Sequence, residues 1–135
     1  MSYPISHLDG CDDEAIVRLK KAGVRTTERL LALAGTANGR RALAERTGLD
    51  PAQLLAFANM ADRMRLPGMG KEYASLMQAA GVKTVRELKY RNPARLAKAM
   101  AEANAKRKLV RVLPSEQAIE RWVDAAKTLN IKISY

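Results

Sequence analysis

The chain has 135 residues, with 24 Lys+Arg against 14 Asp+Glu for a formal charge of +10, and 47% of it is apolar. That length suits one compact domain or two small fused modules, and a surplus of positive charge this large favours an anionic partner, nucleic acid before membrane. One Cys and one His exclude an internal disulfide framework and a Cys-based zinc site, and no apolar run approaches the roughly 18 residues a membrane span needs.

The first residues, Met1-Ser2-Tyr3-Pro4-Ile5, lack the basic and apolar regions of a signal peptide. A cytoplasmic protein, including a nucleoid-associated one, is expected, with no membrane partner. Helix is expected throughout. A first helix near 12–22 opens on Asp12 and Asp13, where acidic side chains satisfy orphan N–H groups, so these acids are read as structural rather than catalytic. Helices near 27–34 and 38–47 follow, with Gly23 and Gly48 placed as left-handed terminators. Asp50-Pro51 supplies an N-cap and a Pro at the first position of a helix over 51–65. Next come helices near 70–80, closed by Gly81, and 85–91, opened by Thr84 and Glu87 at capping-box spacing. Asn92-Pro93 starts an Ala-rich helix over 93–105, and a last helix covers 115–129. The apolar runs at 110–112 and 131–133 are too short for a sheet.

Two segments match at an offset of 58. Leu8-Asp9-Gly10-Cys11-Asp12 and Ala22-Gly23-Val24-Arg25-Thr26 face Leu66-Pro67-Gly68-Met69-Gly70 and Ala80-Gly81-Val82-Lys83-Thr84. A second match, at an offset of 65, pairs Leu54 with Ile119, Phe57 with Trp122, Ala61 with Ala126 and Met64 with Leu129. Steps of 3, 4 and 7 put these residues on one helical face, which reads as core. The change of offset places seven extra residues around Lys106–Arg111. The expected architecture is therefore all-α, in two tandem helical units over 1–64 and 65–135.

The informative stretch is Leu66-Pro67-Gly68-Met69-Gly70-Lys71-Glu72-Tyr73-Ala74. Glycine permits φ > 0 and lets the backbone approach a ligand closely. A helix N-terminus behind it presents free N–H groups and a positive dipole end, which together suit a phosphate. Lys71 adds a cation at the same place. A bulky side chain at Gly70 is expected both to block close approach and to strain a left-handed position. The first copy has Asp12 where the second has Gly70, and Asp9, Asp12, Asp13 and Glu14 would repel phosphate there.

Charge divides the same way. Residues 1–64 carry a net +1, and residues 65–135 a net +9. The excess includes Lys83, Arg86, Lys106, Arg107, Lys108 and Arg111. As a cluster these read as an electrostatic footprint for nucleic acid.

Residues 66–74 resemble the helix-hairpin-helix motif of DNA-processing proteins: apolar, any residue, Gly, apolar, Gly, three residues, Ala. The resemblance implies contact with the nucleic-acid backbone through the amides of Gly68 and Gly70. The whole chain is similar to a bacterial family of uncharacterised proteins with tandem helix-hairpin-helix motifs. That likeness rests on Gly39-Arg40-Arg41-x-Leu43-Ala44, Ala61-Asp62, Arg91-Asn92-Pro93, Leu109-Val110-Arg111, Pro114-Ser115-x-Gln117 and Trp122-x-x-x-Ala126-Lys127.

The expected function is sequence-independent DNA binding. Its site residues are Gly68, Met69, Gly70, Lys71, Lys83, Arg86, Lys106, Arg107 and Lys108. No catalytic residue, metal or cofactor is expected. The competing expectation is a protein–protein adaptor working through the first unit, or an accessory subunit of a DNA-processing complex.

Overall fold

The computed structural model describes residues 2–135 and is all-helical, as the cap residues and apolar spacing predict. The helices are α1 (Asp13–Lys21), α2 (Thr27–Ala34), α3 (Ala37–Thr47), α4 (Pro51–Arg63), α5 (Lys71–Ala79), α6 (Val85–Leu88), α7 (Pro93–Arg107) and α8 (Glu116–Thr128). A short 3-10 turn, Ile5–His7, and an isolated bridge between Pro4 and Thr26 precede or link them; neither has a signature in the sequence.

Local chemistry explains the helix ends. Asp12, Thr26, Thr36, Asp50, Thr84, Asn92 and Ser115 each accept a backbone N–H of the helix they precede. Such a cap contributes on the order of 1 kcal/mol. Helix α6 ends at Leu88, short of the expected 91. Pro93 holds Asn92 in an extended conformation, and the chain between turns through Arg91 N–H to the Leu88 carbonyl. Helix α7 runs to Arg107, beyond the expected 105, and stops where Lys108 turns left-handed at φ 50°.

The chain forms two compact units. One comprises residues 1–65 with Ile131–Tyr135, and the other Leu66–Asn130. The last five residues, grouped by position with the second half in the sequence reading, therefore pack with the first. Arg40, buried on α3, is one of their anchors, together with buried Ile133 and the Tyr135–Asn59 hydrogen bond. Its guanidinium donates to the carbonyls of Ala34 (3.0 Å), Gly35 (3.1 Å) and Ser134 (2.7 Å), and Ser134 N–H donates back to Gly35. A side chain at Gly35 would stand 2.4 Å from the Lys132 carbonyl, so only glycine lets the tail pass.

In the first unit α2 packs on α3 and α4 around Leu19, Leu30, Leu43, Leu54 and Phe57. In the second unit α7 packs on α5 and α8, and α6 packs on α8, around Leu76, Met77, Leu88, Leu96, Met100 and Trp122. Each fully buried Leu contributes about 1.5–3 kcal/mol relative to an exposed one.

The two units share local geometry. Gly10 and Gly68 are left-handed at φ 75° and 73°. Gly23 and Gly81 are left-handed at φ 85° and 100°, each followed by a buried Val whose N–H reaches back to Leu19 or Met77. Among the described residues no helix is long and apolar enough to cross a membrane.

Candidate functional site

The turn over Leu66–Gly70 is held from inside the second unit. Leu66 and Met69 are buried, and Met69 N–H donates to the Leu66 carbonyl at 3.1 Å. The indole N–H of Trp122 on α8 donates to the Pro67 carbonyl at 2.7 Å. The Tyr73 ring lies 5.5 Å from the Trp122 ring, and the Tyr73 hydroxyl donates to the Val112 carbonyl at 3.1 Å. These contacts leave Gly68 exposed and Gly70 partly so, with Lys71 exposed at the first position of α5.

The two glycines do different work. Gly68 is left-handed, with open space where a side chain would be. Gly70 has φ −91° and ψ −176°, ordinary extended backbone that any residue adopts, so the expected left-handed strain belongs to Gly68 and not to Gly70. What Gly70 supplies is the absence of a side chain. It is the N-cap of α5 and makes no cap hydrogen bond; among the described residues no acceptor takes the N–H groups of Gly70, Lys71, Glu72 or Tyr73. Each of the other seven α-helices has a side chain in that place. The nearest group to a side chain added at Gly70 would be the Glu72 carboxylate, at 3.8 Å.

The first unit shows the opposite arrangement. Asp12 sits at φ −74° and ψ 177°, much like Gly70, and its carboxylate accepts the Ala15 N–H at 2.9 Å. The N-terminus of α1 is thus filled by its own anion, and Asp9, Asp13 and Glu14 are exposed around it. Cys11 is buried beside this turn. Burial, then the charge of Asp12, push its thiol up to about 11.

The expected site residues separate into groups. Gly68, Gly70 and Lys71 lie together on the turn. Met69 presents nothing to solvent: its side chain is fully buried and its N–H is taken. Its place in the turn is packing, so it leaves the contact set. Lys83 and Arg86, both exposed, follow the far end of α5, a nine-residue helix of about 13 Å. Lys106, Arg107 and Lys108 are exposed at the C-terminal end of α7, where cations also offset the helix dipole.

The chain then comes back toward the turn. Asn104 clamps Val110 through both its amide groups, at 3.1 and 3.0 Å, and two residues later Val112 meets Tyr73. Exposed Arg111 stands between those two anchors. Its position depends on the Tyr73–Val112 contact, which no short-range pattern in the sequence announces.

Unit 2 carries 13 Lys+Arg against 6 Asp+Glu over residues 66–130. Among the described residues no group of three or more His, Cys, Asp or Glu is placed to hold a metal ion.

A family model described as Domain of unknown function (DUF4332) matches residues 10–129. No curated protein and no solved structure gives a significant match.

Proposed function

The chain belongs to the DUF4332 family, and since that description names no activity, we propose from its own geometry that it binds the phosphate backbone of DNA without reading base sequence. The observation that carries this reading is the open N-terminus of α5. Among the described residues its N–H groups have no acceptor, its cap residue has no side chain, and Lys71 is exposed beside them. That is the chemistry of a helix-terminus phosphate site. The helix-hairpin-helix resemblance of residues 66–74 supports the same assignment, as does the net +7 of residues 66–130.

In this reading the amides of Gly68 and Gly70 and the ammonium of Lys71 hold phosphate. Arg111 and Lys106–Lys108 extend the contact along the backbone. Lys83 and Arg86 add long-range attraction. Phosphates carry no base identity, so binding is indifferent to sequence. The role is that of a binding protein without a cofactor or catalytic centre.

The first unit has a different part. With Asp12 occupying its own helix terminus, it is closed to phosphate, and its exposed acids suit a basic protein surface. An adaptor role for this unit, within a DNA-processing complex, is the second reading.

The test is binding of labelled, unrelated duplexes at two salt concentrations. The five cations placed on the backbone would give a log–log slope near −4.5, a loss of about 500-fold for a fourfold rise in salt. A slope near zero would favour the adaptor reading.

A further inference from the structure

A concavity in the second unit lies away from the Gly68–Lys71 turn in chain position and is lined by Tyr90, Arg91, Asn92, Arg95, Leu96 and Ala99. Its volume is about 250 Å³. That falls below the roughly 300–1,000 Å³ of sites that enclose drug-sized ligands, and suits a single small planar group. Leu96 is buried and gives it an apolar floor. Its rim is cationic.

Tyr90 is the anomaly. Its neighbours Val85 and Leu88 are buried and do the packing of α6, whereas Tyr90 is 77% exposed. The fold does not need the ring. The Lys89 ammonium lies 5.5 Å from the ring centroid, and with so much of the ring exposed it cannot cover both faces. The Arg91 guanidinium reaches only long partners, the Gly81 carbonyl at 3.4 Å and Glu87 at 3.7 Å. The Arg95 guanidinium has no partner among the described residues, although its backbone N–H is taken by Asn92. An open aromatic face beside two loosely held guanidinium groups matches how proteins take unpaired bases: the base stacks on the ring, and the adjoining phosphate pairs with Arg.

We infer that this concavity holds one unpaired nucleotide of a single strand, with the base on Tyr90 and its phosphate on Arg91 and Arg95. A duplex keeps its bases in the stack and cannot fill the site. The inference goes beyond the duplex-phosphate reading and stands without it, because no residue is shared between the two sites.

The experiment uses the full chain with fluorescein-labelled dT12, rU12 and a random-sequence duplex. Tyr90→Ala should weaken the better-bound single strand by roughly 5- to 100-fold, the range that base–aromatic stacking commands, and change duplex binding less than twofold. Tyr90→Phe keeps the ring and should bind within twofold of the parent. Arg95→Ala should flatten the single-strand salt slope by about 0.7. A melting temperature close to the parent's in all three variants shows the fold intact, as expected for exposed side chains. Whichever of dT12 and rU12 binds more tightly identifies the nucleic acid that fills the site. If Lys71→Ala leaves duplex binding unchanged while Tyr90→Ala still selectively weakens the single strand, the turn reading fails and this one survives. The inference is overturned if Tyr90→Ala binds both single strands like the parent. It is equally overturned if Tyr90→Phe loses as much as Tyr90→Ala, if the loss is equal on duplex, or if the parent binds neither single strand.

Discussion

Gly70→Asp separates what the turn does for folding from what it does for binding. Gly70 and Asp12 have nearly the same backbone conformation, at φ −91° and −74°, with ψ close to 180° in both. Asp12 already caps its helix through the Ala15 N–H. An Asp at position 70 should do the same at the Tyr73 N–H. There is room for it, since the nearest atom to the added side chain is the Glu72 carboxylate at 3.8 Å. An Asp cap improves on glycine by a few tenths of a kcal/mol, and a negative charge at the helix N-terminus adds about 0.3–1 kcal/mol. Repulsion from Glu72 takes back part of this. Urea denaturation should therefore show the variant as stable as the parent, or up to about 1 kcal/mol more stable. Binding should move the other way. The carboxylate occupies the donors that phosphate would use, and a hydrogen bond to a charged group is worth about 1.5–3 kcal/mol, or roughly 10- to 150-fold in affinity. Fluorescence anisotropy on a short duplex reads that loss. A destabilisation beyond 1 kcal/mol would show that Gly70 serves the backbone after all. Duplex affinity within twofold of the parent would show that the α5 terminus holds no phosphate.

The converse change, Asp12→Gly with Asp13→Lys, opens the first turn and should raise duplex affinity in the same anisotropy assay; no change would mean that charge is not what silences the first unit. Lys108 sits left-handed at φ 50°, which costs a non-glycine residue roughly 1 kcal/mol, so Lys108→Gly should stabilise the chain by about that much in urea titrations while flattening the duplex salt slope. Cys11 is buried and its thiol is pushed up to about 11, so at pH 8 iodoacetamide should label it slowly in the folded chain and quickly in urea, as mass spectrometry reports. Because the folded pKa is raised, its contribution to stability is present below the unfolded value of about 8.5 and is lost as pH climbs towards 11, a decline that Cys11→Ala should make shallower.

Helix content and most helix starts were legible because their signals are local. A cap residue or Asn-Pro acts within one turn, and burial at steps of 3 and 4 shows in the residue pattern. Gly68 was legible only as a glycine in a turn, and its φ of 73° came from the structure. Gly70 was misread as a left-handed position because a glycine can be needed for φ, for space or for lacking a side chain, and sequence does not separate these. The last five residues were out of reach for another reason: Arg40 and Gly35 fix them through backbone carbonyls almost a hundred residues away, with no periodicity to betray it. Trp122 reads as core from its spacing, and it is buried, but its grip on the Pro67 carbonyl depends on the tertiary fold. Arg111 was legible as part of the basic cluster, but the anchoring of its neighbours Val110 and Val112 to Asn104 and Tyr73 was not.

The most direct test of phosphate binding at the turn is the salt dependence of Lys71→Ala. Lys71 is exposed at the first position of α5, so its loss should leave the turn and the fold unchanged. The log–log slope of duplex affinity against salt should flatten by about 0.9, the value of one phosphate contact, and by the same amount on unrelated sequences. Glu45→Ala, exposed in the first unit, should leave the slope as it is. A Lys71→Ala slope equal to the parent's would contradict the account and make the turn a connector between helices.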